Sequence, residues 1–185
     1  MIHLSVAQVV RELNAYLNLR SPGMSENRVT AGSLFDLNGQ PGASTRNRIA
    51  VQVVNVEENG VYRSAETHRT RDDGMHERVK PSVRINVYVL FVANLDDYAE
   101  ALKAISLVIA FFQNRSTFEV SGNGDGASRV IFDLYSMTFE QQNHLWASLG
   151  AKYMPSVMYK AAILDIRDTL VSAELPPVEE IATRS

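Results

Sequence analysis

The side chains to test first for chemistry are the four histidines, His3, His68, His76 and His144. None stands three or four residues from another, the spacing that sets two ligands on one helical face, and no HExxH occurs. His144 falls beside Trp146 in a short helical stretch, where a surface or hydrogen-bonded half-buried imidazole is the expected role. The chain contains no cysteine, which removes disulfides and thiolate metal sites from consideration. The loop GNGDG, Gly122 to Gly126, has the look of a phosphate cradle. It lacks a following Lys-Ser/Thr and does not open a helix, so a tight turn between strands is the better reading. Asp72-Asp73-Gly74 begins like a calcium loop and then lacks the later ligand positions. Serines occur without a GxSxG elbow or an SxxK motif. Asp96, Asp97 and Glu100 gather where a helix should begin, and the helix macrodipole alone favours negative charge there. Asp96 is expected to serve as part of that cap. No catalytic, cofactor-binding or metal-ligating residues are assigned, and neither an enzyme activity nor a cofactor is expected.

Composition narrows the function classes further. At 185 residues the chain fits one domain with a sizeable core. Hydrophobic content of 45% and charged content of 21% are those of a soluble globular protein. A formal net charge of -3 leaves no electrostatic footprint for nucleic acid. The stretch from Arg63 to Lys80 is locally charged but mixes Arg69, Arg71, Arg78 and Lys80 with Glu66, Asp72, Asp73 and Glu77. The opening MIHLSVAQVVREL shows no basic leader or small-residue cleavage site, so no secretory signal is expected. The apolar run Ala104 to Phe112 is too short to span a bilayer.

The elements that would position any site are organised around Val83 to Gln113, which reads as a long strand feeding a long helix. Val83, Ile85, Val87, Val89 and Phe91 share one face by the period-two rule, and the other face turns apolar toward Leu90 and Val92. A strand apolar on both sides wants cover on both sides, which predicts a central position. In the helix, Tyr98, Ala101, Leu102, Ile105, Val108, Ile109 and Phe112 are the expected buried stripe. Before this unit, residues 2–19 read as an amphipathic helix with Ser5 as a possible N-cap, and VTAGSLFDL as one short strand. Arg48 to Glu58 alternates as a strand, and Asn59-Gly60 predicts a hairpin with VYRSAETH returning. Thr70 to Val79 reads as a flexible loop, either a contact site for a partner or a solvent-exposed linker.

After it come a short strand at 115–120, an alternating strand in ASRVIFDLYSM, and a helix opened by Thr138 with Gln141 at the capping-box position. That helix stops at Gly150, and SVMYKAAILDIRD is the last predicted strand. The tail SAELPPVEEIATRS should be extended. Residues 1–168 are therefore expected as one domain and 169–185 as a tail. The fold class is α+β, with a mixed, mostly antiparallel sheet flanked by two main helices. Tyr88, Leu90, Trp146, Tyr153, Met154, Met158 and Tyr159 suit either an interface or a core.

Four segments, IAVQVVNVEEN, INVYVLFVAN, ALKAISLVIAFFQNRSTFEV and FEQQNHLWASLGAKYMPSVMYKAAILDI, occur in the order found in one family. The chain resembles the cap, or tail-terminator, proteins of extracellular contractile injection systems of the antifeeding-prophage type, from the first helix to about Asp168. The tail and the loop at 69–80 do not carry the family pattern. The resemblance implies a phage tail-terminator-like fold and a structural role without catalysis. It implies a homohexameric ring at the baseplate-distal end of the particle, where the protein stops polymerisation and meets inner-tube and sheath subunits. Such a protein would be made in the bacterial cytoplasm and leave as part of a phage tail-like particle, binding no nucleic acid and inserting in no membrane. An assembly chaperone or adaptor of the same particle is the alternative. Candidate partner contacts are Arg69, Arg71, Arg78 and Lys80 in the loop and Pro176, Pro177, Val178 and Ile181 in the tail, with strand addition at exposed edges as a means of contact.

Overall fold

A computed structural model describes residues 2–20, 28–36, 38–59, 68–70, 76–78, 83–121, 127–166 and 173–175. In chain order the elements are α1 (Ile2–Arg20), β1 (Val29–Ala31), β2 (Arg48–Glu58), β3 (His68–Thr70), β4 (His76–Arg78) and β5 (Val83–Asn94). They continue with α2 (Tyr98–Asn114), β6 (Thr117–Ser121), β7 (Ala127–Tyr135), α3 (Phe139–Ser148), β8 (Ser156–Ile166) and β9 (Ala173–Leu175). Six strands form one sheet in the order β1-β2-β5-β8-β7-β6. Only β1 and β2 run parallel; β2–β5, β5–β8, β8–β7 and β7–β6 are antiparallel. The predicted α+β class and mixed, mostly antiparallel sheet are what the chain adopts.

β5 lies between β2 and β8, as its two apolar faces require. On one face Ile85, Val87, Val89 and Phe91 join Val9, Leu13 and Leu17 of α1 and Val108, Phe111 and Phe112 of α2 in the main core. On the other, Leu90 and Val92 meet Trp146 of α3, Met158 of β8 and Leu34 in a smaller core. Each large side chain so buried contributes about 1.5–3 kcal/mol before entropy is subtracted. The sheet curls enough for α1 to pack against both β1 and β6, its two outermost strands.

Several local expectations shift. α1 begins at Ile2, so Ser5 lies inside the helix, buried at 3% exposure, rather than capping it. The N-cap of α2 is Asp97, not Asp96: its side chain accepts from the Glu100 backbone N–H at 2.8 Å. The buried stripe of α2 is Ala101, Val108, Phe111 and Phe112, whereas Tyr98 and Leu102 stay exposed. Periodicity could not separate the two stripes because both are apolar. By contrast, the Thr138–Gln141 capping box forms as predicted, and Gly150 takes φ +67 just past the end of α3.

The hairpin predicted at Asn59-Gly60 falls mostly outside the described residues. His68, the last residue of the predicted returning strand, belongs instead to β3, which pairs with β4, while the antiparallel partner of β2 is β5. The loop at 70–79 and the tail also acquire strand. β4 joins β3 on one side and β9 on the other, giving a second sheet in the order β3-β4-β9. Cross-strand backbone pairing explains why polar, weakly patterned segments carry strand here.

Candidate assembly surface

The described residues carry no group of three or more His, Cys, Asp or Glu side chains arranged to hold a metal ion. Among them, no helix is long and apolar enough to cross a membrane. An open groove of about 900 Å³ lies between the start of α1 and the β1–β2 pair. Its walls are Ile2, Val6, Ala7, Val51 and Val53, with His3, Ser33 and Gln52 as polar neighbours. Gln52 is already engaged, accepting from the Leu34 N–H at 3.1 Å. This groove has no convergent polar set of the kind that binds and orients a small molecule.

Apolar side chains left in solvent are the more informative feature. Phe139, at the first turn of α3, is 90% exposed, and Tyr98 and Leu102 stand exposed one turn apart on α2. Ile105 and Ile109, half-buried, continue that flank of α2. Tyr153 lies edge-on to Trp146 at 5.7 Å between ring centroids and remains exposed, as does Leu134 at the end of β7. Large aromatic and aliphatic groups exposed on ordered elements are what protein interfaces use. Of the seven residues that suited interface or core, Leu90, Trp146, Met158 and Tyr159 are buried, Tyr88 and Met154 are half-buried, and only Tyr153 is exposed.

One polar network crosses the sheet face that α3 shares. Glu57 Oε1 accepts from the Tyr88 hydroxyl at 2.8 Å and from Asn86 Nδ2 at 3.1 Å, and Asn59 Nδ2 donates to Asn86 Oδ1 at 3.4 Å. The Tyr88 phenol is pushed up to about 12, first by its hydrogen bond to Glu57 and then by burial. Tyr135 stacks edge-on to Tyr88 at 5.0 Å. Two buried nitrogens, Trp146 Nε1 and one amino nitrogen of Arg28, find no hydrogen-bond partner. Burial holds the Arg28 guanidinium below its ordinary pKa, partly offset by the nearby Glu100 carboxylate.

The structure brings together two segments that the sequence could not connect. Arg69 lies on β3 opposite Glu77, and Arg78 lies on β4 between His68 of β3 and Ala173 of β9. The candidate loop and the candidate tail thus share one small sheet. Arg71, Lys80, Pro176, Pro177, Val178 and Ile181 lie outside the described residues. Strand addition at the large sheet meets an obstacle at one outward-facing residue of each edge: Asn14 bonds Val29 of β1, and Arg115 bonds the Thr117 carbonyl of β6.

A family model, the Pvc16 N-terminal domain, matches residues 6–180. The chain belongs to this family. The match continues past Asp168 and includes residues 69–80, so the family pattern reaches further than the sequence segments suggested. Compared with curated proteins by sequence, the chain finds no match. Among solved structures, it is similar to the cryo-EM structure of the anti-feeding prophage cap, described as a tube terminating cap. The TM-score is 0.60 at 18% identity, over 97% of this chain and 61% of that one. It is also similar to the PVC sheath/tube terminator of an extracellular contractile injection system in its extended state. There the TM-score is 0.57 at 18% identity, over 100% of this chain and 65% of that one. The chain therefore has the fold of these caps and spans somewhat under two thirds of their length.

Proposed function

We propose that this Pvc16 N-terminal domain protein is a structural terminator of an extracellular contractile injection particle. Six copies close into a ring on the baseplate-distal end and stop the growth of the inner tube and the sheath. The observation that carries this reading is a fold shared along 97% and 100% of the chain with proteins described as tube or sheath terminators. Exposed Phe139, Tyr98, Leu102 and Tyr153 support it, because a closed ring needs two different patches that meet head to tail. Tube and sheath subunits are the further partners, reached by the 69–80 segment of a body formed by 1–168 and by the tail 169–185. The role requires no catalysis, nucleic acid or membrane, and the protein leaves the cell as part of the particle.

Electron microscopy of intact particles tests the reading. Density for this protein as a six-fold ring at the end away from the baseplate is expected. A particle that matures without it at that end would show an assembly chaperone instead. A variant lacking residues 176–185, beyond β9, should keep the fold and give particles of uneven length; uniform, intact particles would remove the tail from the contact.

A further inference from the structure

Strand edges are where a sheet meets other chains, and this sheet has both of its edges beside one helix. In the parallel β1–β2 pair, Ile49 N–H donates to the Arg28 carbonyl at 2.7 Å and Gly32 N–H donates to the Val51 carbonyl at 3.1 Å. The even-numbered residues of β1 therefore face β2, and Val29 must point its N–H and C=O outward. Both are satisfied by one side chain. Val29 N–H donates to Asn14 Oδ1 at 3.0 Å, and Asn14 Nδ2 donates to the Val29 carbonyl at 2.9 Å. The carboxamide is a peptide group in miniature, so Asn14 occupies the place of a neighbouring strand. Its Nδ2 also donates to the Val10 carbonyl at 3.0 Å, which fixes the rotamer from within the helix.

The opposite edge repeats the device through an intermediary. Ser116 spends its carbonyl on Phe132 N–H at 2.8 Å, so the Thr117 carbonyl points away from β7. Arg115 Nε donates to that carbonyl at 3.1 Å, and its guanidinium is held at 2.8 Å by Glu12 of α1. Successive residues of a helix are rotated by about 100°. Glu12, Leu13 and Asn14 hence address β6, the core and β1 in turn, with Leu13 fully buried between the two polar contacts.

We infer that α1 is an edge bolt: Asn14, and Glu12 through Arg115, occupy Val29 of β1 and the Thr117 carbonyl of β6, the first outward-facing position of each outer strand, and so oppose addition of a strand from a second copy of this chain. Contacts in an assembly then use other surfaces, and the inference stands whether or not the protein is a terminator.

Hydrogen exchange on the wild-type protein is the first test. The Val29 amide and the Asn14 carboxamide protons should exchange far more slowly than the carboxamide of exposed Asn143; exchange at the Asn143 rate would overturn the bolt. Asn14→Leu keeps the size of the side chain and removes the surrogate strand. It should speed Val29 exchange about ten-fold, as expected for one lost hydrogen bond, and add concentration-dependent association beyond the wild-type state in sedimentation. Arg115→Leu should add the same association through β6. In the double variant Asn14→Leu/Ala31→Lys, an edge lysine on exposed β1 should abolish the new association while Val29 exchange stays fast. A folded Asn14→Leu protein with wild-type exchange and wild-type sedimentation would refute the inference, as would association that the lysine leaves untouched.

Discussion

The two faces of the central sheet are covered in different ways. Beneath α1 and α2, Phe112 sits among rings on every side, with centroids 4.2 Å from Tyr159, 5.0 Å from Phe111 and Phe132, and 5.3 Å from Phe91. Beneath α3 the cover is thinner. Trp146 is the only residue of that helix that is buried, its indole N–H has no partner, and the same face carries the half-open Glu57–Asn86–Tyr88 network. The difference separates two jobs. The ring-packed face makes the subunit rigid, whereas the α3 face keeps Phe139 in water on a short, well-capped helix and Tyr153 in water just beyond it, against Trp146. An interface group needs both exposure and a fixed direction, and α3 supplies these at little cost to the main core.

Truncation at the centre of each face should sharpen the contrast. Phe112→Ala removes a side chain that cannot be replaced by local collapse, because the surrounding rings are themselves locked. We expect a loss of about 3–5 kcal/mol, read by denaturant unfolding with an unchanged m-value. Trp146→Phe should cost no more than about 1.5 kcal/mol, since it shortens one ring and removes a buried N–H that bonds to nothing. If the two losses are equal, the faces are not energetically distinct. Smaller again is Thr138→Ala, which deletes the α3 cap accepting from Gln141 N–H at 3.2 Å. About 1 kcal/mol is expected, with faster amide exchange confined to the first turn of α3 and none beneath α2.

The same contrast explains what the sequence could reveal. Strand periodicity on β5 was legible because Val83, Ile85, Val87, Val89 and Phe91 keep one face wholly apolar, and Leu90 and Val92 on the other face point to the central position. The capping box of α3 was legible because Thr138 and Gln141 act within one turn. On α2 the sequence showed apolar residues on two adjacent flanks, and only the curvature of the sheet decides which flank is buried; Tyr98 and Leu102 lost that choice and became candidate contacts. β4 and β9 were missed for a related reason. Each is three residues long, and they pair with each other across almost a hundred residues, so no local pattern marks that contact. Asn14 reads as an ordinary polar position on an outer helical face, and its role exists only once Val29 lies beside it.

The smallest effect concerns the Glu57–Tyr88 pair on the α3 face. Folding raises the Tyr88 phenol from an ordinary value of 10.0 to about 12, so the native state holds this proton more tightly than the unfolded chain does. The contribution to stability is therefore fully present at neutral pH and up to pH 10, and is lost as pH rises through about 12. Burial also raises Tyr159, on the ring-packed face, so two tyrosines should titrate late by tyrosinate absorbance. Tyr88→Phe should remove one of them. Glu57→Gln should bring that one back toward the ordinary range, because the carboxylate is its largest cause, and should leave Tyr159 in place. A Glu57→Gln protein in which both tyrosines still titrate late would mean that burial governs the α3 face as it does the α2 face, and the distinction between them would fall.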